Sequence, residues 1–379
     1  MDFHWTKEHQ LIKKSARDFG NEQLEPQAAE IDRTGRFPSE TVKAMAELDF
    51  MGMFFPPEYG GAGTDFMSYI LMLEELSRFC ASTSAILATH CSLVSYPVFK
   101  YGSESQKKKY LTAMCKGEKL GGFALAEPGA APASGPERVV AIMDGDDYLL
   151  NGKKYFVLNG GVADIYVVFA QTDQSAGMKG LSAFIVEAGI PGFKVKRQIE
   201  KMGLRAQPTA EMVFEKTRVS RENLLGAENQ GYEILKDTLA FAGVAAAAQV
   251  AGICQTALEL SVKYAKERVQ FGRPIACLQA IQWMLADMAA NVHMIRLATY
   301  KAASLIQEDK TIAYEAAIAR MFAARAGVDV CMDAVQIHGG YGYGKELIVE
   351  RLLRDVKGII IFENSSEFPQ SIIASTLLR

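Results

Sequence analysis

The sequence predicts an α+β protein in three consecutive parts: an N-terminal α-helical domain over residues 1–120, a middle antiparallel β domain over 121–225 and a C-terminal four-helix bundle over 226–379. Three observations carry this reading. Apolar residues recur at helical spacing through the first part, β-rich runs without long intervening helices occupy the middle, and four long periodic segments fill the end. The length of 379 residues fits two or three packed units at roughly 150 residues each.

The first helix is predicted from Lys7 to Phe19, where Leu11, Ile12, Ala16 and Phe19 form one buried stripe. Further helices are expected at Ser39 to Leu48, Asp65 to Phe79, Ser84 to Tyr101 and Ser105 to Lys116, separated by turns such as Pro56-Pro57-Glu58-Tyr59-Gly60-Gly61. In the middle part, Tyr148-Leu149-Leu150, Asn151-Gly152 and Lys153 to Val157 read as strand, two-residue turn and strand. Strands are also expected at Ile165 to Gln171, Leu181 to Glu187 and Thr209 to Phe214. Long helices are expected at Tyr232 to Arg268, Leu278 to Glu308, Ile312 to His338 and Lys345 to Lys357, lengths that pack as a bundle.

A formal charge of −3, from 41 Lys and Arg against 44 Asp and Glu, gives no general attraction to nucleic acid or anionic membranes. The longest apolar run, Leu239 to Ala248, is shorter than the roughly 18 to 20 residues of a membrane span, and the first residues lack the pattern of a secretory signal. A cytoplasmic location is therefore expected. Six scattered cysteines with no C-x-x-C pair disfavour a zinc site and a disulfide framework, and no metal is expected.

Four segments have the composition of ligand sites. Gln336 to Tyr343 places glycines at 339, 340 and 342 after a long helix; a helix cap accounts for one of them, and close approach of a ligand accounts for all three. Arg268-Val269-Gln270-Phe271-Gly272-Arg273 sets two guanidiniums beside an aromatic, which suits a diphosphate and an adenine, or a solvated helix end. Glu363 follows Ile359-Ile360-Ile361-Phe362, where desolvation would raise its pKa toward that of a general base; a peripheral Glu is the plain alternative. Gly121 to Ala130 carries a Pro-Gly turn fit to cradle a planar ligand or simply to turn the chain. Walker, G-x-S-x-G, H-E-x-x-H and G-x-G-x-x-G motifs are absent.

These segments, in this order, resemble the acyl-CoA dehydrogenase family along essentially the whole chain, with the short-chain, butyryl-CoA type branch nearest. Supporting stretches are Glu58-Tyr59-Gly60-Gly61-Ala62-Gly63, Lys201-Met202-Gly203-Leu204-Arg205-Ala206 and Val349-Glu350-Arg351-Leu352-Leu353-Arg354-Asp355. The resemblance implies an FAD enzyme in which Glu363 removes the α-proton of an acyl thioester while the β-hydride passes to flavin N5. It places Phe123, Leu125, Ala126, Phe156, Leu158, Ser365 and Glu367 on the cofactor, with Gln336, Gly339 and Gly340. Arg268, Phe271 and Gln279 would reach it from a neighbouring subunit. Pro132, Gly243 and Asn364 fall at substrate positions. Electron-transfer flavoprotein is the implied redox partner and a homotetramer, or a hetero-oligomer with a homologue, the implied assembly.

The flavin-site motifs are degenerate. Leu125-Ala126-Glu127-Pro128-Gly129-Ala130-Ala131-Pro132-Ala133 stands where the family has Leu-Thr-Glu-Pro-Gly-Ala-Gly-Ser-Asp, and Phe156-Val157-Leu158-Asn159 where it has aromatic-Ile-Thr-Asn. Ala240-Phe241-Ala242-Gly243 replaces Asp-Gly-Gly-Arg, so the arginine near the thioester is missing, and Asn364 replaces a glycine lining the acyl site. Three lost hydroxyl contacts at about 1 kcal/mol each amount to about a hundredfold in FAD affinity. Two further readings follow: a weakly catalytic subunit paired with an intact homologue, and a flavoprotein running a redox-neutral or atypical acyl-CoA elimination. Lys107-Lys108-Lys109 reads as a solvated helix face, and His90 and Cys91 as packing.

Overall fold

The computed structural model describes residues 5–127, 138–308, 312–362 and 367–378, without the side chains of residues 362, 367 and 368. The chain opens with α1 (Lys7–Phe19), capped by Thr6, whose hydroxyl accepts from the His9 N–H while His9 Nδ1 accepts from the Thr6 N–H. After α2 (Glu25–Thr34) and α3 (Ser39–Glu47) comes α4 (Phe66–Ser77), buried over its whole length. Inside it, the Glu74 carboxylate is held by Arg296 at 2.7 Å and the Tyr300 hydroxyl at 2.5 Å. This ion pair joins the first and last parts of the molecule.

The helix expected from Ser84 to Tyr101 is α5 (Ala81–Ala88), a π-helical stretch at Thr89–Ser95 and α6 (Tyr96–Tyr101). The one expected from Ser105 divides in the same way into α7 (Glu104–Gln106), a π-helical stretch at Lys107–Leu111 and α8 (Thr112–Cys115).

The sheet comprises β1 (Gly121–Ala124), β2 (Val140–Asp144), β3 (Asp147–Leu158), β4 (Ile165–Gln171), β5 (Leu181–Glu187), β6 (Phe193–Gln198), β7 (Thr209–Ser220) and β8 (Leu224–Leu225). Its order is β6-β7-β3-β1-β4-β5-β8, with β2 beside β3 and β4. Pairing is antiparallel except where β1 and β2 lie parallel to β4. The hairpin expected at Asn151-Gly152 is not there. Residues 147–158 form one continuous strand, with a bulge between Leu150 and Gly152 where Asn151 Oδ1 accepts from the Lys216 N–H. A Cβ at Gly152 would lie 2.5 Å from the Arg138 carbonyl oxygen, so the glycine serves close strand approach. The chain reverses instead at Gly145-Asp146, between the paired Asp144 and Asp147.

The last part is built on α9 (Gly231–Glu267), followed by a ribbon of β9 (Val269–Gln270) and β10 (Arg273–Pro274). It continues through α10 (Gln279–Gln307), α11 (Ala313–His338), the short α12 (Gly340–Tyr343), α13 (Val349–Phe362) and α14 (Glu367–Leu377). By length and composition α9 is apolar enough to cross a membrane, but its apolar window is 94% buried against neighbouring elements, as a core helix is.

Candidate active site

Two surfaces carry the sequence-predicted residues. The first is formed by β1 and the end of β3, which meet at Phe123 and Leu158. Beyond β1 the chain stays alongside β3: the Tyr155 N–H donates to the Ala126 carbonyl at 2.8 Å, and Lys154 Nζ donates to the Leu125 carbonyl at 2.8 Å and to Glu127 at 2.6 Å. Phe123, Leu125, Ala126, Phe156 and Leu158 are thus brought together on adjoining backbone. Burial lowers the Lys154 pKa, against the opposing pull of Glu127. Phe156 holds φ at 53° and is 38% exposed, a conformation rare for an aromatic residue and set by the second bulge of β3, between Lys154 and Val157. Leu158 is 3% exposed and packs with Phe123 and Phe169 in an apolar cluster, so the position offers no hydrogen bond donor on its side chain.

The second surface is a recess of about 550 Å³ where the end of α9 faces the end of α11, lined by Arg268, Ile275, His338, Gly339, Gly340 and Tyr341. Tyr264 stacks on His338 at 4.3 Å, and the Arg268 guanidinium lies 5.5 Å from the Tyr341 ring centroid. Gly339 has φ 59° and ψ −138°, a region that excludes other residues, and a Cβ at Gly339 or Gly340 would point into open space. The cradle therefore leaves backbone accessible to a ligand, and an anionic, aromatic group such as an adenine diphosphate matches its guanidinium and rings. Phe271 and Gly272 form the turn of the β9–β10 ribbon, both at positive φ, and Phe271 is 88% exposed. Gln279 opens α10 and Gln336 lies in the last turn of α11, both exposed. Among the described residues, none of the β1–β8 sheet lines this recess, although Gln270 of the β9–β10 ribbon does.

Gly243 lies in the buried stretch of α9. Glu363, Asn364, Ser365 and Pro132 lie outside the described residues; α13 ends at Phe362, immediately before Glu363, and Glu367 opens α14. Sequence reasoning missed the Lys154–Glu127 pair and Asn159. The fully buried Asn159 amide donates to the carbonyls of Gly121 and Ile86, at 2.9 and 3.2 Å, and so ties β1 to α5. Its position beside the Phe156-Val157-Leu158 motif was the available signal. Lys107 and Lys109 pair with Glu104 and Glu187, consistent with a solvated face.

Residues 6–118, 122–217 and 229–378 match the N-terminal, middle and C-terminal domains of acyl-CoA dehydrogenase. The chain belongs to the acyl-CoA dehydrogenase family. Members of this family are FAD flavoproteins, oxidoreductases acting on the CH–CH bond of acyl-CoA thioesters. The chain is 44% identical over its full length, and that of its relative, to the short-chain specific acyl-CoA dehydrogenase of Clostridium acetobutylicum. Among solved structures it superposes on butyryl-CoA dehydrogenase from Megasphaera elsdenii with a TM-score of 0.97 and 41% identity, covering 100% of both chains. A chain in a structure described as the electron transferring flavoprotein of Acidaminococcus fermentans matches equally, at 0.97 and 42% identity over 100% of both. The acyl-CoA dehydrogenase fold, its three parts and its short-chain affinity agree with the sequence reading.

Proposed function

We propose that the protein catalyses FAD-dependent α,β-dehydrogenation of a short or modified acyl-CoA thioester. The observation that carries this reading is the division of the cofactor-facing residues between two surfaces. The Arg268–Gly339 recess suits the adenine and diphosphate, whereas Phe123 to Ala126 and Phe156 to Leu158 suit the flavin ring. Because no described residue of the β1–β8 sheet lines the recess, one cofactor engages both surfaces most simply when a second copy supplies one of them. The exposed Phe271 fits this role, since an 88% exposed aromatic on a two-residue turn is placed to pack against another chain. A homotetramer follows from the family resemblance.

FAD, when bound, supplies the acceptor for the β-hydride. Glu363 takes the α-proton: the acyl-CoA loses a proton and a hydride and becomes the enoyl-CoA. For a carboxylate to take so weakly acidic a proton, the thioester oxygen must be stabilised as negative charge develops, a task for backbone N–H donors near Glu363. Electrons leave through an electron-transfer flavoprotein, a partner suggested by the Acidaminococcus fermentans match. Six free cysteines, five of them buried, suit a reducing cytoplasm.

A second reading, a weakly catalytic partner subunit, is favoured by Leu158, which is closed into an apolar cluster where the family has a hydroxyl. Measuring FAD per subunit decides between them: near one supports the enzyme, and flavin-free protein that resists reconstitution supports the partner.

A further inference from the structure

The glycine at 243 leaves no gap in α9. A Cβ built there would lie 3.6 Å from the Cβ and 3.8 Å from the Cγ of Arg320 on α11, so the nearest side chain to this position is itself an arginine. Arg320 is 5% exposed, and its Nη2 donates to the carbonyls of Ile359 and Ile360, each at 2.9 Å. Those carbonyls belong to the last turn of α13, four and three residues before Glu363.

The physical chemistry of this contact is specific. The last carbonyls of a helix lack intrahelical donors and carry the negative end of its dipole, so a buried cation meets matched partial charge there. A planar guanidinium spans two adjacent carbonyls in a fixed geometry, whereas an ammonium is a single point charge. With glycine at 243, the Arg320 stem passes within van der Waals reach of α9 on its way to α13.

We propose that Arg320 is a positioning residue for the reaction: it takes the place of the arginine absent at 243 and fixes the end of α13, after which Glu363 follows in the chain. The inference rests on the reading of Glu363 as the base. Its structural half, the clamp on α13, stands apart from that reading and is tested separately.

The test uses the full-length holoprotein and three variants: Arg320→Gln, Arg320→Lys and the exchange Gly243→Arg with Arg320→Gln. Amide hydrogen exchange is followed over residues 357–362, with and without added FAD, and flavin bleaching is followed at increasing butyryl-CoA. Arg320→Gln is expected to speed exchange at the end of α13 about tenfold. It should lower the limiting bleaching rate about tenfold, with little change in the half-saturating concentration. Arg320→Lys should fall between, and it remains informative if the glutamine variant does not fold. The exchange variant should recover much of the lost rate, because the guanidinium returns from the neighbouring helix. Unchanged exchange over α13 in the soluble Arg320 variants overturns the clamp. Faster exchange with an unchanged bleaching rate overturns the catalytic half. Bleaching that survives Glu363→Gln removes the base assignment and leaves the clamp result standing.

Discussion

The backbone N–H of Gly121, the first residue of β1, donates to Nδ1 of His90 at 3.0 Å. That bond fixes the tautomer, so Nε2 carries the proton and donates to the Met114 carbonyl at 3.2 Å. The ring is fully buried and neutral, and burial lowers its pKa from 6.5 to about 4. His90 is therefore more than filler: it anchors the strand that carries Phe123 to the π-helical stretch after α5.

A depressed histidine makes a signed prediction. Below pH 6.5 the unfolded chain takes up a proton that the folded state refuses until about pH 4. His90 thus favours the fold above pH 6.5, and this contribution, about 3 kcal/mol, is lost as pH falls through that window. Denaturant titrations from pH 4 to 7 should show that His90→Gln flattens this slope, though it lowers stability at neutral pH.

Asp355 acts in the opposite sense. Burial raises its carboxyl to about 6, while Oδ1 accepts the Leu204 N–H at 2.7 Å. Between about pH 4 and 6 the folded state holds a proton that the unfolded state has released, so stability falls as pH rises, by about 3 kcal/mol in all. Asp355→Asn keeps the acceptor and should stabilise the protein at pH 7, with no gain below pH 4. Equal unfolding midpoints at pH 7 would contradict this.

The Lys154–Glu127 pair holds the Leu125–Glu127 backbone beside the surface proposed for the flavin. Lys154→Met leaves the Glu127 carboxylate without its cation, though the Val139 N–H still donates to it, and the Leu125 carbonyl without its lysine donor, and should cost about 3 kcal/mol of stability. Thermal unfolding of the variant against the parent checks the value, and FAD content should fall with it.

Leu158→Thr returns a hydroxyl to the position where the family has one. If it replaces packing in the apolar cluster without strain, FAD should bind more tightly by about 1 kcal/mol, roughly fivefold. Flavin retention on dialysis reads this directly. Phe271→Ala should lower both FAD retention and oligomer mass, with the far-ultraviolet circular dichroism unchanged, since an exposed side chain adds little to the packing of its own chain.

Much of the fold was legible because the patterns were local. The strand expected at Ile165 to Gln171 agrees with β4 to the residue, since a strand buried on both faces reads as an unbroken apolar run. Asn151-Gly152 misled because it has a hairpin's composition, yet its glycine meets a neighbouring strand and its asparagine fills a bulge. β1 and β2 escaped notice because they are short, and what defines them is pairing with β3 and β4. In the site, Arg268 and Gln336 to Gly340 were legible as compact motifs, and the structure brings Arg268 and the residues Ile337 to Gly340 to one recess. Arg320 was not legible: it is one of two arginines in an alanine-rich helix, and its partners are backbone carbonyls 39 and 40 residues away.

The most direct test of the account is the visible spectrum of the purified protein before and after butyryl-CoA, with FAD measured per subunit. The account predicts near-stoichiometric flavin that bleaches on addition of the thioester and no longer does so in Glu363→Gln. Flavin-free protein that cannot be reconstituted, or bound flavin indifferent to every short acyl-CoA, would contradict it.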